Sequence, residues 1–433
     1  MKQPVILVLN YKKTNSFALN TIAGAVETGC PDVEILFATG AERVCEAIAR
    51  AHERKHTVVV GWSFHSPQFE KIPGELNWIR HRSPPAIHLA GGVHATAEPE
   101  QTLRAGFDYA AIGEGERTIV EFLARLQRRE LPPHPAFAAL TSALSREGRG
   151  NPAGMRGIAC LKDGALVSGG AGERIELDDF PPFAPAHFKV NPIQITRGCI
   201  YACSYCQTSF MFGGEFRHRS VENVCENVRI MKRHRATDIR FITPTALSYG
   251  SPDENVKLDK VEELLAGVRS VLGKDGRVFF GTFPSELRPE HVTPEALRMI
   301  KRYVDNDNVV IGGQSGSQDV LESIGRSHSV EAIETAVRII KEEGFLANVD
   351  FIFGLPGETP ADTDATLKLA QRLGEMGARV HAHTFIPLPG TPLRSAPAGQ
   401  LDAKTIARLE RMASHGKLYG QWKQQHRGVT KDQ

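Results

Sequence analysis

Three cysteines, Cys199, Cys203 and Cys206, stand three and then two residues apart, directly after an apolar run that ends in Thr196-Arg197-Gly198. Thiolates are soft ligands that select iron–sulfur clusters, zinc or Cu(I), and three of them on one tight loop can all face a single metal centre. A structural zinc site wants four closed ligands, usually two C-x2-C knuckles or a Cys pair with a His pair. No second knuckle exists, and Cys225, the nearest spare thiol, sits in a helical pattern over 220–231 where Cys acts as a small hydrophobe. Three ligands for a four-iron cluster instead leave one iron open, as a catalytic metal requires. Zinc and inert core cysteines are the alternatives on spacing alone.

The chain has 433 residues, enough for two or three domains. Hydrophobic content of 41% and charged content of 24% exclude disorder, collagen and coiled coil. A net charge of +2 gives no electrostatic case for nucleic acid or an acidic membrane surface. The opening apolar run is too short for a signal peptide, and no stretch approaches the length of a membrane helix. Clustered thiols among seven cysteines fit a reducing cytoplasm, with Cys30, Cys45, Cys160 and Cys225 read as structural.

In the N-terminal third, buried-strand patterns over 5–10, 33–37, 57–62, 86–90 and 109–112 alternate with helical patterns over 16–28, 41–54, 68–80 and 99–104, and a last helix spans 117–128. Five β-α units imply a parallel, doubly wound, Rossmann-like sheet, in which ligands bind beyond the strands' carboxyl ends. The loops there contain Ser63, Gly91-Gly92, His94 and Gly113-Glu114-Gly115. Glycines at such places admit a close backbone approach to a ligand, and tight turns use them equally.

A Pro-rich break at 131–135 and a polar stretch over 141–154 read as a linker. Asp163-Gly164 between two short strand patterns reads as a hairpin, and the segment 177–183, with two prolines, reads as a structural clamp. Beyond it, strands are expected over 193–196, 239–243, 278–283, 308–312, 347–353 and 380–386, with helices over 261–272, 294–303, 330–343 and 359–376. Six β-α units suit an open parallel barrel whose chemistry gathers at the strands' carboxyl ends. Arg217 and Arg219 read as a solvated helix start, with a carboxylate or phosphate clamp as the alternative. Alternation places His381 and His383 on one face, either the barrel lumen or the outer helix layer; in the lumen a histidine could orient substrate or move a proton. The tail reads as an amphipathic helix over 402–419 and a polar end. The expected domains are 1–130, a 131–186 linker with hairpin, 187–395, and 396–433.

The set Cys199, Cys203, Tyr205 and Cys206 resembles the C-x3-C-x-aromatic-C motif of the radical S-adenosylmethionine (SAM) superfamily, and the six-unit barrel is similar to its partial (β/α)6 TIM-barrel fold. The resemblance implies that the three cysteines hold a 4Fe-4S cluster whose fourth iron is chelated by SAM, which one-electron reduction cleaves to a 5'-deoxyadenosyl radical. It also implies SAM contacts from Tyr205, Thr243, Glu286, Arg288, Gln314, Ser315, Gly316, Arg326, Phe353, Gly354 and Glu358. Thr243-Pro-Thr245 departs from the Gly-Gly-Glu that often meets the SAM amino group, which leaves that contact to main-chain oxygens or a neighbour.

The N-terminal runs 91–100 and 106–116 resemble the cobalamin (B12)-binding-type domain fused to many radical SAM proteins, which implies cobalamin near Ser63, Gly91, Gly92, His94, Gly113, Glu114 and Gly115. The Asp-x-His-x-x-Gly motif that supplies a cobalt-ligating His is absent. Taken together, the resemblance is to an uncharacterised prokaryotic subgroup. It implies a cobalamin-dependent methyltransferase acting on an unactivated carbon of a small metabolite or lipid precursor, with His381 and His383 as catalytic candidates. A one-electron reductant such as flavodoxin or ferredoxin is implied too. A methylthiotransferase would need a second cluster on three N-terminal cysteines, of which only Cys30 and Cys45 are present. A non-catalytic iron–sulfur sensor or electron carrier would not need the SAM segments.

Overall fold

The computed structural model describes residues 2–131 and 154–426. They fall into two compact units divided between Asn191 and Pro192. The linker expected over 141–154 lies, except for Gly154, outside the described residues, as does the polar end beyond 426.

In the first unit, β1 (Val5–Asn10) is buried along its whole length. It pairs with β2 (Glu34–Ala38) and β3 (Thr57–Ser63), and β4 (Ile87–Gly91) and β5 (Tyr109–Ala111) follow, all parallel. Parallel pairing requires crossovers, supplied by helices Ser16–Gly29, Ala41–Glu53, Ile72–Arg82 and Pro99–Arg104. Alternation along β1 divides the core. Val5, Leu7 and Leu9 pack with Phe122 on one face, and Ile6 and Val8 with Val58 and Val60 on the other. Burial on both faces is why these strands read as continuous apolar runs.

The hairpin forms as expected from β6 (Ile158–Lys162) and β7 (Ala165–Ser168), with Asp163 and Gly164 both at positive φ. It does not stand apart with the linker: β6 pairs antiparallel with β5 and extends the sheet to seven strands. Backbone groups carry that pairing, so the side-chain pattern announced a hairpin without naming the edge it joins. The clamp at 177–183 lies on helix Ser16–Gly29, where a Cβ on Gly24 would come within 2.1 Å of Phe183 O. Gly24→Ala is therefore expected to lower stability by about 2 kcal/mol or more, read as a fall in the urea midpoint.

The second unit opens with β8 (Ile193–Gln194), β9 (Thr196–Arg197) and β10 (Arg217–His218), the last two an antiparallel pair. Parallel strands β11 (Asp238–Ile242), β12 (Arg277–Phe279), β13 (Asn308–Gln314), β14 (Leu346–Phe353) and β15 (Arg379–Thr384) follow. β8 pairs with β11, and the bridges Thr243–Ser285 and Leu287–Ile311 carry the sheet from β11 to β13. The result is the expected open, parallel partial barrel. Its helices begin where a side chain can accept an orphan backbone N–H: Ser220, Thr293, Ser329 and Thr359 each cap one.

Three details differ from the sequence reading. The strand expected over 278–283 leaves the ladder after Phe279, because Asn306 Oδ1 accepts the Phe280 N–H at 3.0 Å in place of a strand carbonyl. The tail is not one helix. Helix Ala403–Ser414 stops before Gly416 at φ +68°, β16 (Leu418–Tyr419) joins β15 in parallel, and helix Trp422–His426 follows. Leu418 and Trp422 are buried, which rewards leaving the helical path. Arg219, expected at a solvated helix start, is buried, with Nε donating to Gln194 O and Nη1 to Asn223 Oδ1.

Candidate active site

The cysteine loop begins at Gly198, whose φ of +82° and crowded surroundings admit no side chain: a Cβ would lie 2.1 Å from Glu215 O. Ala202 takes φ +47° so that the chain can turn between Cys199 and Cys203. Backbone bonds Cys199 N to Gly213 O, Ser204 N to Ile324 O and Cys206 N to Cys203 O pin the loop, and Ser209 Oγ donates to Cys199 O at 2.7 Å. None of the three thiols is in a disulfide, and all three line one cavity of about 340 Å³. Burial pushes the Cys199 thiol up, which keeps it neutral until a metal displaces its proton.

Tyr205, Thr243, Glu286, Arg288, Gln314 and Arg326 line the same cavity, so six of the expected SAM contacts converge on the cysteines. Tyr205 packs on an apolar cluster containing Ile324, Leu355 and Ile352. Gln314 is presented by a bulge in β13, with its own φ at +67°. Arg326 places Nη1 3.7 Å from Cys203 Sγ while Nη2 donates to Gly312 O at 2.8 Å. Arg288 stacks 3.4 Å over the Tyr201 ring and pairs with Glu290, yet its buried Nη2 has no hydrogen-bond partner among the described residues. Such an orphaned donor beside three thiols fits a bound carboxylate or cluster, and the donor set fits a 4Fe-4S centre with SAM.

The remaining five do not line that cavity. Ser315 Oγ and the Gly316 N–H bond to Thr366 Oγ1, and a Cβ on Gly316 would meet Thr366 Cα at 2.6 Å, so this pair packs against helix Pro360–Glu375. Phe353 is fully buried, and Gly354 is covered by Gly399 and Gln400. Glu358 Oε2 accepts the Gly354 N–H at 2.6 Å, while burial pushes its carboxyl up to about 7.

His381 and His383 face the lumen. They stand in register with Asp350 and Ile352, and Ile352 packs in the same cluster as Tyr205, whereas the intervening Val380 and Ala382 are fully buried on the opposite face. Asp350 was not singled out from sequence, although the one carboxylate in a largely apolar strand, at an inward position, is the signal that could have found it. Tyr201 was missed as well; it lines the cavity and bonds His291 Nε2 at 3.1 Å.

Burial, and next the Asp350 charge, push the Glu286 carboxyl up to about 7. The native state thus holds this proton where the unfolded chain, near 4.5, has released it. Stability is lost as pH rises from about 4.5 through 7. Glu286→Gln is expected to remove that slope, so that urea midpoints of variant and wild type converge near pH 4.5 and separate in the variant's favour toward pH 7.

In the first unit, strand order reverses between β1 and β3, the place where doubly wound sheets bind ligands. A cavity of about 360 Å³ lies there, lined by Asn10, Lys12, Asn15, Ser63, Gln68 and Lys71 among others. Asn15 Nδ2 donates to both Asn10 O and Ser63 O, tying the two strand ends together. Ser63 is the one expected cobalamin contact on this lining. Gly91 pairs in register with Ser63 in the sheet, and a Cβ on Gly92 would meet Phe64 O and Ser63 Oγ at 2.9 Å. His94 does not face open space. It is buried, stacked 4.1 Å from Phe69 and bonded to Ser66 Oγ, and burial lowers it to about 4. Its neighbours are aromatic, which a loop-position reading could not foresee. Gly113 approaches Gly172 and Glu114 Oε2 accepts the Ile175 N–H, while Gly115 packs on Ile22, so the chain on both sides covers this loop. The unpartnered Asn10 Oδ1 suits cobalamin's amide donors and the Lys71 amine its phosphate, while Lys12 pairs with Glu75 on the same lining; no imidazole is on the described lining.

A parallel partial barrel with three thiols in the loop after its first strand, preceded by a doubly wound domain, defines an enzyme that reacts on a metal cluster. The radical SAM superfamily model matches residues 193–370, and the B12 binding domain model matches residues 5–123. The chain's cofactors are accordingly a 4Fe-4S cluster, SAM and cobalamin. Among its relatives, it is 27% identical over 241 residues to a tRNA-2-methylthio-N(6)-dimethylallyladenosine synthase of Halorhodospira halophila, covering 55% of this chain and 49% of that protein. It is 26% identical over 320 residues to an uncharacterized methyltransferase of Pyrococcus horikoshii, covering 70% and 61%. The chain thus spans about half the length of the first relative. The fold is similar to that of the radical SAM methyltransferase TsrM from Kitasatospora setae, solved with cobalamin and a 4Fe-4S cluster, at TM-score 0.65 and 18% identity over 91% of this chain and 77% of that one. Radical SAM enzymes need a one-electron reductant. Among the described residues no helix is long and apolar enough to cross a membrane.

Proposed function

We propose that the protein is a cobalamin-dependent radical SAM methyltransferase acting on an unactivated carbon of a small metabolite or lipid precursor. The observation that carries this reading is the single cavity that gathers Cys199, Cys203 and Cys206 with Glu286, Arg288, Gln314 and Arg326, in a chain that also carries a B12 binding domain. When bound, the reduced cluster and SAM supply a hydrogen-abstracting radical, and cobalamin supplies a methyl carrier. The chain's own task is placement. The thiols, once deprotonated, anchor the cluster; Arg288 Nη2 and the Gln314 amide offer donors for a carboxylate; Tyr205 and Ile352 supply an apolar wall that keeps water from the reacting atoms. A reducing cytoplasm with a flavodoxin- or ferredoxin-type donor is the setting such chemistry needs.

The methylthiotransferase relatives favour a second reading, in which a further cluster sits on N-terminal cysteines. Cys30 belongs to one core of the first sheet and Cys45 packs against the other, so the two thiols lie on opposite faces and share no centre. The test is product analysis under anaerobic, reducing conditions with SAM carrying a labelled methyl group. Formation of both 5'-deoxyadenosine and S-adenosylhomocysteine is expected. Formation of 5'-deoxyadenosine alone, with cobalamin present, would contradict methyl transfer.

A further inference from the structure

The lumen cluster beside the SAM cavity has a geometry that hydrogen bonding alone satisfies only in part. Asp350 Oδ1 lies 3.0 Å from His381 Nδ1, and His383 Nε2 lies 3.3 Å from that same nitrogen. One ligand atom from each of the three residues lies within 4.8 Å of the other two. An imidazole Nδ1 carries at most one hydrogen, so it can give a full hydrogen bond to only one neighbour and at best a weaker, shared one to both. Were His383 Nε2–H the donor, the filled lone pair of His381 Nδ1 would be spent on it and nothing would be left for the carboxylate. Three electron-rich atoms converging in this way are what a cation brings together. Ligands about 2.0–2.1 Å from a tetrahedral zinc ion stand roughly 3.3 Å from each other, which matches the two short separations.

The supporting contacts fix the rings without closing the site. His381 stacks on Tyr419 at 4.6 Å with 9° between the planes. Gln425 Nε2 reaches His383 Nδ1 at 3.5 Å, too long to dictate the tautomer, while its Oε1 accepts the Thr384 N–H. Glu286, which lines the SAM cavity, is near enough to feel the charge of both Asp350 and His381.

We infer that Asp350, His381 and His383 form a site for one first-row divalent metal ion of the zinc class, additional to the cluster and to cobalamin. Two imidazoles and one carboxylate are the borderline donor set that suits such ions, and three protein ligands leave a coordination position for a substrate oxygen or nitrogen. The ion would anchor and polarise the substrate in the lumen. The inference stands on the lumen geometry and does not depend on methyl transfer.

The test uses full-length, cluster-reconstituted protein given one equivalent of zinc under anaerobic conditions, with elemental analysis and zinc K-edge X-ray absorption. The expected result is about one zinc per chain in a nitrogen and oxygen shell near 2.0–2.1 Å with imidazole scattering. A His381→Gln/His383→Gln variant is expected to lose that zinc. A sulfur shell near 2.3 Å would place the zinc on cysteines and overturn the inference, as would protein that cleaves SAM yet retains no zinc. The wild-type spectrum decides the matter even if the variant does not fold, and SAM cleavage without zinc would leave the proposed methyl transfer untouched.

Discussion

Cys203→Ala is expected to abolish reductive SAM cleavage, with a fall of roughly a thousandfold or more in 5'-deoxyadenosine formation, equivalent to at least about 4 kcal/mol of lost transition-state stabilisation. Cys203 is the most buried of the three thiols and the one that Arg326 approaches at 3.7 Å, so its loss removes a cluster ligand and leaves a guanidinium facing a methyl group. Serine is expected to be nearly as poor, because a hydroxyl lacks the softness that binds iron–sulfur clusters. The loop's backbone bonds do not involve the thiol, so the far-ultraviolet spectrum should not change. Chromatography of dithionite-reduced, reconstituted protein measures the effect. A variant that kept a tenth of the wild-type rate would show that the cysteines are not the cluster site.

The second large effect requires no change to any ligand. Gly198→Ala places a Cβ 2.1 Å from the backbone oxygen of Glu215 at a residue with φ of +82°. Neither can yield cheaply: the clash is with main chain, and a side chain at that φ is strained wherever space exists. Moving Gly198 displaces Cys199, whose N–H bonds Gly213 O, and with it the thiol geometry. Loss of about 3 kcal/mol in stability is expected, together with most of the iron retained on reconstitution. Iron content and urea midpoint measure both. Normal iron loading would show that the loop tolerates displacement and that its backbone is not what sets the cluster geometry.

Much of this arrangement was legible in the sequence, for identifiable reasons. Buried parallel strands write themselves as apolar runs, so β1, β3 and β13 to β15 could be located closely, and the helical patterns opening at Ser220 and Thr359 began one residue early, on the caps. The cysteine spacing located the cluster loop because ligand geometry leaves little freedom. Illegible were the features decided by partners distant in sequence. The edge that β6 joins, the return of β16 to β15, and the burial of His94 between Phe64 and Phe69 depend on contacts that no local pattern encodes. The same holds within the site. Periodicity set His381 and His383 on one face, but packing of Ile352 with Tyr205 decided which face it is. Ser315, Gly316, Phe353, Gly354 and Glu358 occupy strand ends as expected, yet the covering chain at Gly399 and helix Pro360–Glu375 separates them from the cavity lining.

The most direct measurement is anaerobic reconstitution of the full chain with iron, sulfide and hydroxocobalamin, followed by quantitation of iron and cobalt in the desalted protein. The expected result is about four iron atoms and one cobalamin per chain, with iron lost and cobalamin kept in Cys203→Ala. About eight iron atoms with no retained cobalamin would contradict a cluster on Cys199, Cys203 and Cys206 working with a B12 domain, and would point instead to a second cluster.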